Sequence, residues 1–133
     1  MRHENWPELL AEELEGARER PFSFGAGHDC TAFAMRIVAA LTGRDHLAEF
    51  PAYTTETEAA AILAAHGGLR AMATRQFGAP IAVAYAQRGD LVLLPTERGD
   101  ALGICMGSGA AFAAPVGVTV MAMQQVVAAW RVD

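Results

Sequence analysis

The chain has 133 residues, a formal charge of −5, 53% hydrophobic and 19% charged residues. That size fits a single domain, 1–133, and the apolar content excludes intrinsic disorder. An acidic chain with only arginine as its strong base makes a poor nucleic-acid binder, and no apolar run approaches the roughly 20 residues of a membrane span.

In chain order, residues 6–20 pattern as an amphipathic helix with Trp6, Leu9, Leu10, Leu14 and Ala17 on one face. Asn5 and Glu8 have capping-box spacing, and Pro21 stops the run. After a glycine-rich connection, a second helix is expected from Asp29 to Leu41. Its stripe is Cys30, Phe33, Ala34, Ile37, Val38 and Leu41, with Asp29 as N-cap and Gly43 as terminator. A loop over 44–54 leads to a third helix opened by the T-x-x-E box of Thr55 and Glu58 and closed at Gly67-Gly68. Residues 69–76 form a further short helical turn.

After Pro80 the pattern turns to strands. These are expected over 91–94, 101–106, 110–114, 117–121 and 130–132, with turns at 97–100 and 107–109. A helical turn is placed at 123–128. Helices first and an antiparallel meander second make an α+β domain, with N-terminal helices packed on a C-terminal sheet or small barrel.

The cysteines, Cys30 and Cys105, form neither a disulfide framework nor a zinc motif, so no metal and no cofactor is expected. Cys30 opens a helix, where backbone N–H groups favour an anion, which suits a nucleophile; Asp29 beside it opposes the thiolate. The plainer alternative is a small buried residue filling the stripe. His28 is the histidine nearest Cys30 in sequence and the candidate base, or a backbone cap. Asp29 is the candidate orienting residue and helix cap. His3 is expected on a solvated terminus, His46 on a polar surface loop, and His66 partly buried on an apolar helix face. Cys105 shares strand parity with Ala101 but stands roughly 13 Å along, at 3.3 Å per residue, so it is expected as a buried filler unpaired with Cys30.

Asp29-Cys30-Thr31-Ala32-Phe33 resembles the D-C-S-G segment that starts the catalytic helix of NlpC-type, papain-like cysteine peptidases. Arg88-Gly89-Asp90-Leu91-Val92-Leu93 is similar to that family's G-D strand entry. Leu102-Gly103-Ile104-Cys105-Met106-Gly107 is similar to its H-V-G-I-Y-x-G strand and turn, and Phe112-Ala113-Ala114 to its I-H-A strand. The resemblance covers about residues 28–122. It implies a papain-like fold, with Cys30 at the nucleophile position and its N–H in an oxyanion hole. It also puts Ala101 where the family has its base histidine, and Ala113 where it has the third polar residue. The layout, with Tyr53-Thr54-Thr55, Gly67-Gly68-Leu69 and Ala129-Trp130-Arg131-Val132, further resembles small phage and prophage proteins encoded among tail-tip genes.

That resemblance implies a virion component of the tail tip or baseplate, made in the host cytoplasm without a signal peptide. Its partners would be other tail-tip proteins, and its peptidase site would be degenerate. The alternative it implies is an active cysteine peptidase or amidase acting on bacterial cell-wall peptides through Cys30. Neither carries nucleic-acid partners or a membrane span.

Overall fold

A computed structural model describes residues 1–25, 27–49 and 51–133. Its elements are α1 (Trp6–Ala17), α2 (Cys30–Thr42), α3 (Glu56–Ala65), α4 (Leu69–Phe77), β1 (Leu91–Thr96), β2 (Gly99–Cys105), β3 (Gly109–Ala113), β4 (Val118–Ala122) and β5 (Ala128–Trp130). The sheet order is β4-β3-β2-β1-β5 and every pairing is antiparallel. The order is open, with β4 and β5 at its edges, so the C-terminal half is a sheet rather than a barrel. This is the α+β architecture expected from the sequence.

α2 is the helix on which the fold is built. Asp29 caps it by accepting from the Ala32 N–H at 2.7 Å, and Gly43 ends it in the left-handed conformation. Its stripe of Phe33, Ala34, Ile37, Val38 and Leu41 is buried, and Ala32 and Met35 are buried with it. Such burial is worth about 1.5–3 kcal/mol for each large side chain. The stripe meets Leu91, Leu93, Leu102, Ile104 and Trp130, which alternate onto one sheet face. The other sheet face carries a second cluster of Val92, Leu94, Cys105, Ala110, Phe112 and Ala129. Pro95 is tolerated in β1 because β5 pairs only with Leu91–Leu93, so no β5 partner awaits its missing N–H.

Several expectations are corrected. α1 ends at Ala17, and Asn5 makes no side-chain cap bond; its backbone, at φ −90° and ψ 27°, lies outside the extended region a cap needs. The β1–β2 turn is tighter than expected, because Gly99 and Asp100 already pair with Thr96 and Pro95. The last strand is Ala128–Trp130, two residues earlier than expected, since Leu93, Val92 and Leu91 pair with exactly these three. His46 is buried, not superficial: its Nδ1 donates to Gln76 Oε1 at 2.9 Å and its ring lies 4.4 Å from that of Phe77. His66 is exposed, because α3 buries none of its residues.

The two ends of the chain meet at Asp90, which is fully buried. Its Oδ1 accepts from Arg2 Nη2 at 2.9 Å and from the Val132 N–H at 3.1 Å, and its Oδ2 accepts from the Gln87 N–H at 2.9 Å. Arg131 approaches Oδ2 at 3.6 Å. Arg2 also donates to the carbonyls of Val132 and Arg88 and lies over the Trp6 ring. Gly89 permits the clamp: a Cβ there would stand 2.7 Å from Arg2 Nη1.

Candidate functional site

Cys30 is the first residue of α2 and is half-buried. Its Sγ lies 3.8 Å from Thr31 Oγ1. Burial pushes the thiol pKa up; hydrogen bonding from the Leu102 backbone pulls it down, and the Asp29 charge adds to the rise. The Thr31 hydroxyl and main chain pull it down as well, so the groups that favour the thiolate come from the first turn of α2 and from β2, one residue past Ala101. The Ala101 side chain packs at the border of the second cluster, on the sheet face away from α2, and Ala113 packs against the first.

The side chain beneath Cys30 is held tightly. Asp29 is buried and both carboxylate oxygens are used. Oδ1 takes the Ala32 N–H; Oδ2 takes the Gly25 N–H at 2.9 Å and the Tyr53 hydroxyl at 2.6 Å. Gly25 has φ +89° and lies so near the chain at Tyr53 that any Cβ would collide with the Tyr53 carbonyl. Burial and the Asp29 carboxylate push the Tyr53 pKa far up, so its hydroxyl stays a donor. Tyr53 is the member of this network that sequence reading missed. Its only local signal is a tyrosine before the α3 cap, and the bond spans 24 residues.

His28 is brought to a different place. Its ring is fully buried, and Nε2 donates to the Gly117 carbonyl at 2.6 Å. Its edge packs on Phe33 at 5.6 Å, and Nδ1 has no hydrogen-bond partner among the described residues. With Nε2 committed, the imidazole links the start of α2 to the β3–β4 turn. The hydrogen-bonding groups described at the sulfur are the Thr31 hydroxyl and the main chain of Thr31 and Leu102, with no imidazole among them. Cys105 is buried on the far sheet face and both thiols are free. Its Sγ accepts from the Gly107 N–H at 3.4 Å. No group of three metal-ligating side chains is found among the described residues, and no helix described is long and apolar enough to cross a membrane.

The arrangement offers a thiol at a helix N-terminus, a neutral hydroxyl beside it, and a carboxylate locked into backbone and tyrosine bonds. A family model for the domain of unknown function DUF6950 matches residues 1–132. The chain belongs to the DUF6950 family. Among solved structures, the NlpC/p60 domain of the peptidoglycan hydrolase SagA is similar, with a TM-score of 0.57 and 22% identity. The match covers 93% of this chain and 97% of that one. At that identity the likeness establishes a shared NlpC/p60-like, papain-like fold for this DUF6950 domain. A comparison with curated proteins finds no match.

Proposed function

We propose that this DUF6950 domain acts on bacterial cell-wall peptides, as a slow cysteine peptidase or amidase with Cys30 as nucleophile. The observation that carries the reading is the placement of Cys30 as the first residue of α2, in a fold shared with a peptidoglycan hydrolase domain. Attack of Cys30 Sγ on a peptide carbonyl would put the developing oxyanion beside the Cys30 N–H, at the positive end of α2. Without an imidazole on the sulfur, the thiol proton passes to solvent, and the nucleophile grows scarcer as pH falls. Activity then rises steadily into the alkaline range instead of following a bell.

The test is incubation of the protein with purified cell-wall stem peptides, followed by mass spectrometry of the products. New fragments that disappear in Cys30→Ser support the reading. Intact peptides, with no acyl adduct on Cys30 at pH 9, overturn it. A second reading rests on the sequence resemblance, which puts Ala101 and Ala113 where NlpC-type peptidases carry polar residues. Under it the domain is a tail-tip or baseplate structural component of a phage particle, and its cleft has lost catalysis. Co-assembly with tail-tip proteins, unchanged in Cys30→Ala, would favour that reading.

A further inference from the structure

A small notch opens next to the first turn of α2, one residue on from Cys30. Thr31, whose hydroxyl is 3.8 Å from the sulfur, forms one wall, and Tyr53 another. The rest is apolar: Ala59, Ile62 and Leu63 from α3, faced by Leu69 and Met72 of α4. Among the described residues no charged side chain lines it, and the Tyr53 hydroxyl is already spent on Asp29. What enters can therefore find apolar contact but little hydrogen bonding. The notch encloses about 50 Å³; since one water-sized sphere takes roughly 10–15 Å³, it has room for roughly three to five heavy atoms. α3 adds a second indication. It fully buries none of its own residues: Leu63 packs on the first core cluster, yet both it and Ile62 stay half-buried, and a group seated in the notch would cover more of them.

We propose that this notch is a subsite for a small aliphatic side chain, carried by a ligand whose reacting group meets Cys30. Naming that ligand as a cell-wall peptide rests on the reading above; the size and chemistry of the subsite do not. The class it selects is a peptide with a short aliphatic residue next to the bond presented to Cys30, and it disfavours charged or aromatic residues there.

Alkyl methanethiosulfonates test this without any peptidase activity. The Cys30 thiolate displaces methanesulfinate and keeps the alkyl-thio group as a disulfide, so the alkyl chain is offered to the notch. Rates for the methyl, ethyl, propyl, butyl and hexyl reagents are measured on the Cys30 peptide by mass spectrometry, each divided by the rate with glutathione. The expected series rises by up to about fourfold per methylene through propyl or butyl and then stops. Ala59→Phe, which fills the notch, flattens the series. Ile62→Ala, which widens it and keeps a good helix former, moves the end of the rise to longer chains. Ala60→Phe, on the exposed side of α3, leaves it unchanged. A flat series in the unaltered protein, or one indifferent to both notch variants, overturns the subsite. A rising series with no action on cell-wall peptides keeps the subsite and removes the cell-wall reading. Cleavage with a flat series does the reverse.

Discussion

Two buried aspartates organise this domain, and they are treated oppositely. Asp90 is met by guanidinium groups of Arg2 and Arg131 and by two backbone N–H groups. Asp29 is met by two backbone N–H groups and a tyrosine hydroxyl, with no cationic partner among the described residues. Where a carboxylate only has to hold the chain together, the fold supplies counter-charge. Beside Cys30 it supplies neutral donors, so the negative charge is held in place yet still felt by the sulfur. A papain-like site that worked as an efficient nucleophile would gain from the reverse arrangement.

The largest effect expected from testing this contrast is at the clamp. Asp90→Ala takes the carboxylate from Arg2 and Arg131 and leaves the Gln87 and Val132 N–H groups unpaired. Urea unfolding should show a loss of about 3–5 kcal/mol, as for other broken buried pairs. A loss under 1 kcal/mol would mean that the chain ends are not held through Asp90. Asp29→Asn should cost less, about 1–2 kcal/mol, because the amide can still cap α2 but cannot accept at every present donor. Its more telling consequence is on Cys30: with the neighbouring charge gone, the midpoint of alkylation against pH should move down. An unmoved midpoint would mean that the Asp29 charge does not reach the sulfur.

The smallest effect is on alkaline stability. Cys30 and Tyr53 both hold their protons more tightly folded than unfolded. Their stabilisation is therefore whole below the unfolded-chain values of about 8.5 and about 10, and is lost as pH climbs from there through the raised folded values. The urea midpoint should be level from pH 6 to 8 and fall above that. Tyr53→Phe should soften the fall above about pH 10. A midpoint that improves with alkali would contradict both shifts.

What could be read from the sequence was local. The Asp29 and Gly43 ends of α2, the Thr55 cap and the alternation of β1 all depend on residues a few positions apart, and the structure carries each of them. The nearby motifs also led to the NlpC-type fold. What failed depends on distant partners. His46 looked like a surface loop residue because Gln76, which buries it, lies 30 residues away. His66 looked half-buried because α3 is rich in apolar residues, yet the fold fully buries none of them and leaves His66 exposed. The start of α2 was legible, with Asp29 as its cap and Cys30 in its first turn, but not the arrival there of Tyr53, through the loop before α3, or of the Leu102 main chain, through β2. His28 was adjacent in sequence, but its ring is committed to Gly117.

The Arg2 clamp has a consequence for how the fold comes apart. Arg2 Nε lies 2.8 Å from the Val132 carbonyl, so the segment before α1 and the segment after β5 are fastened to each other. The contact closes a loop that holds α1 to α4 and the whole sheet, and the entropy of closing a loop grows only slowly with its length. Helices and sheet therefore share one latch, and losing it frees both segments together.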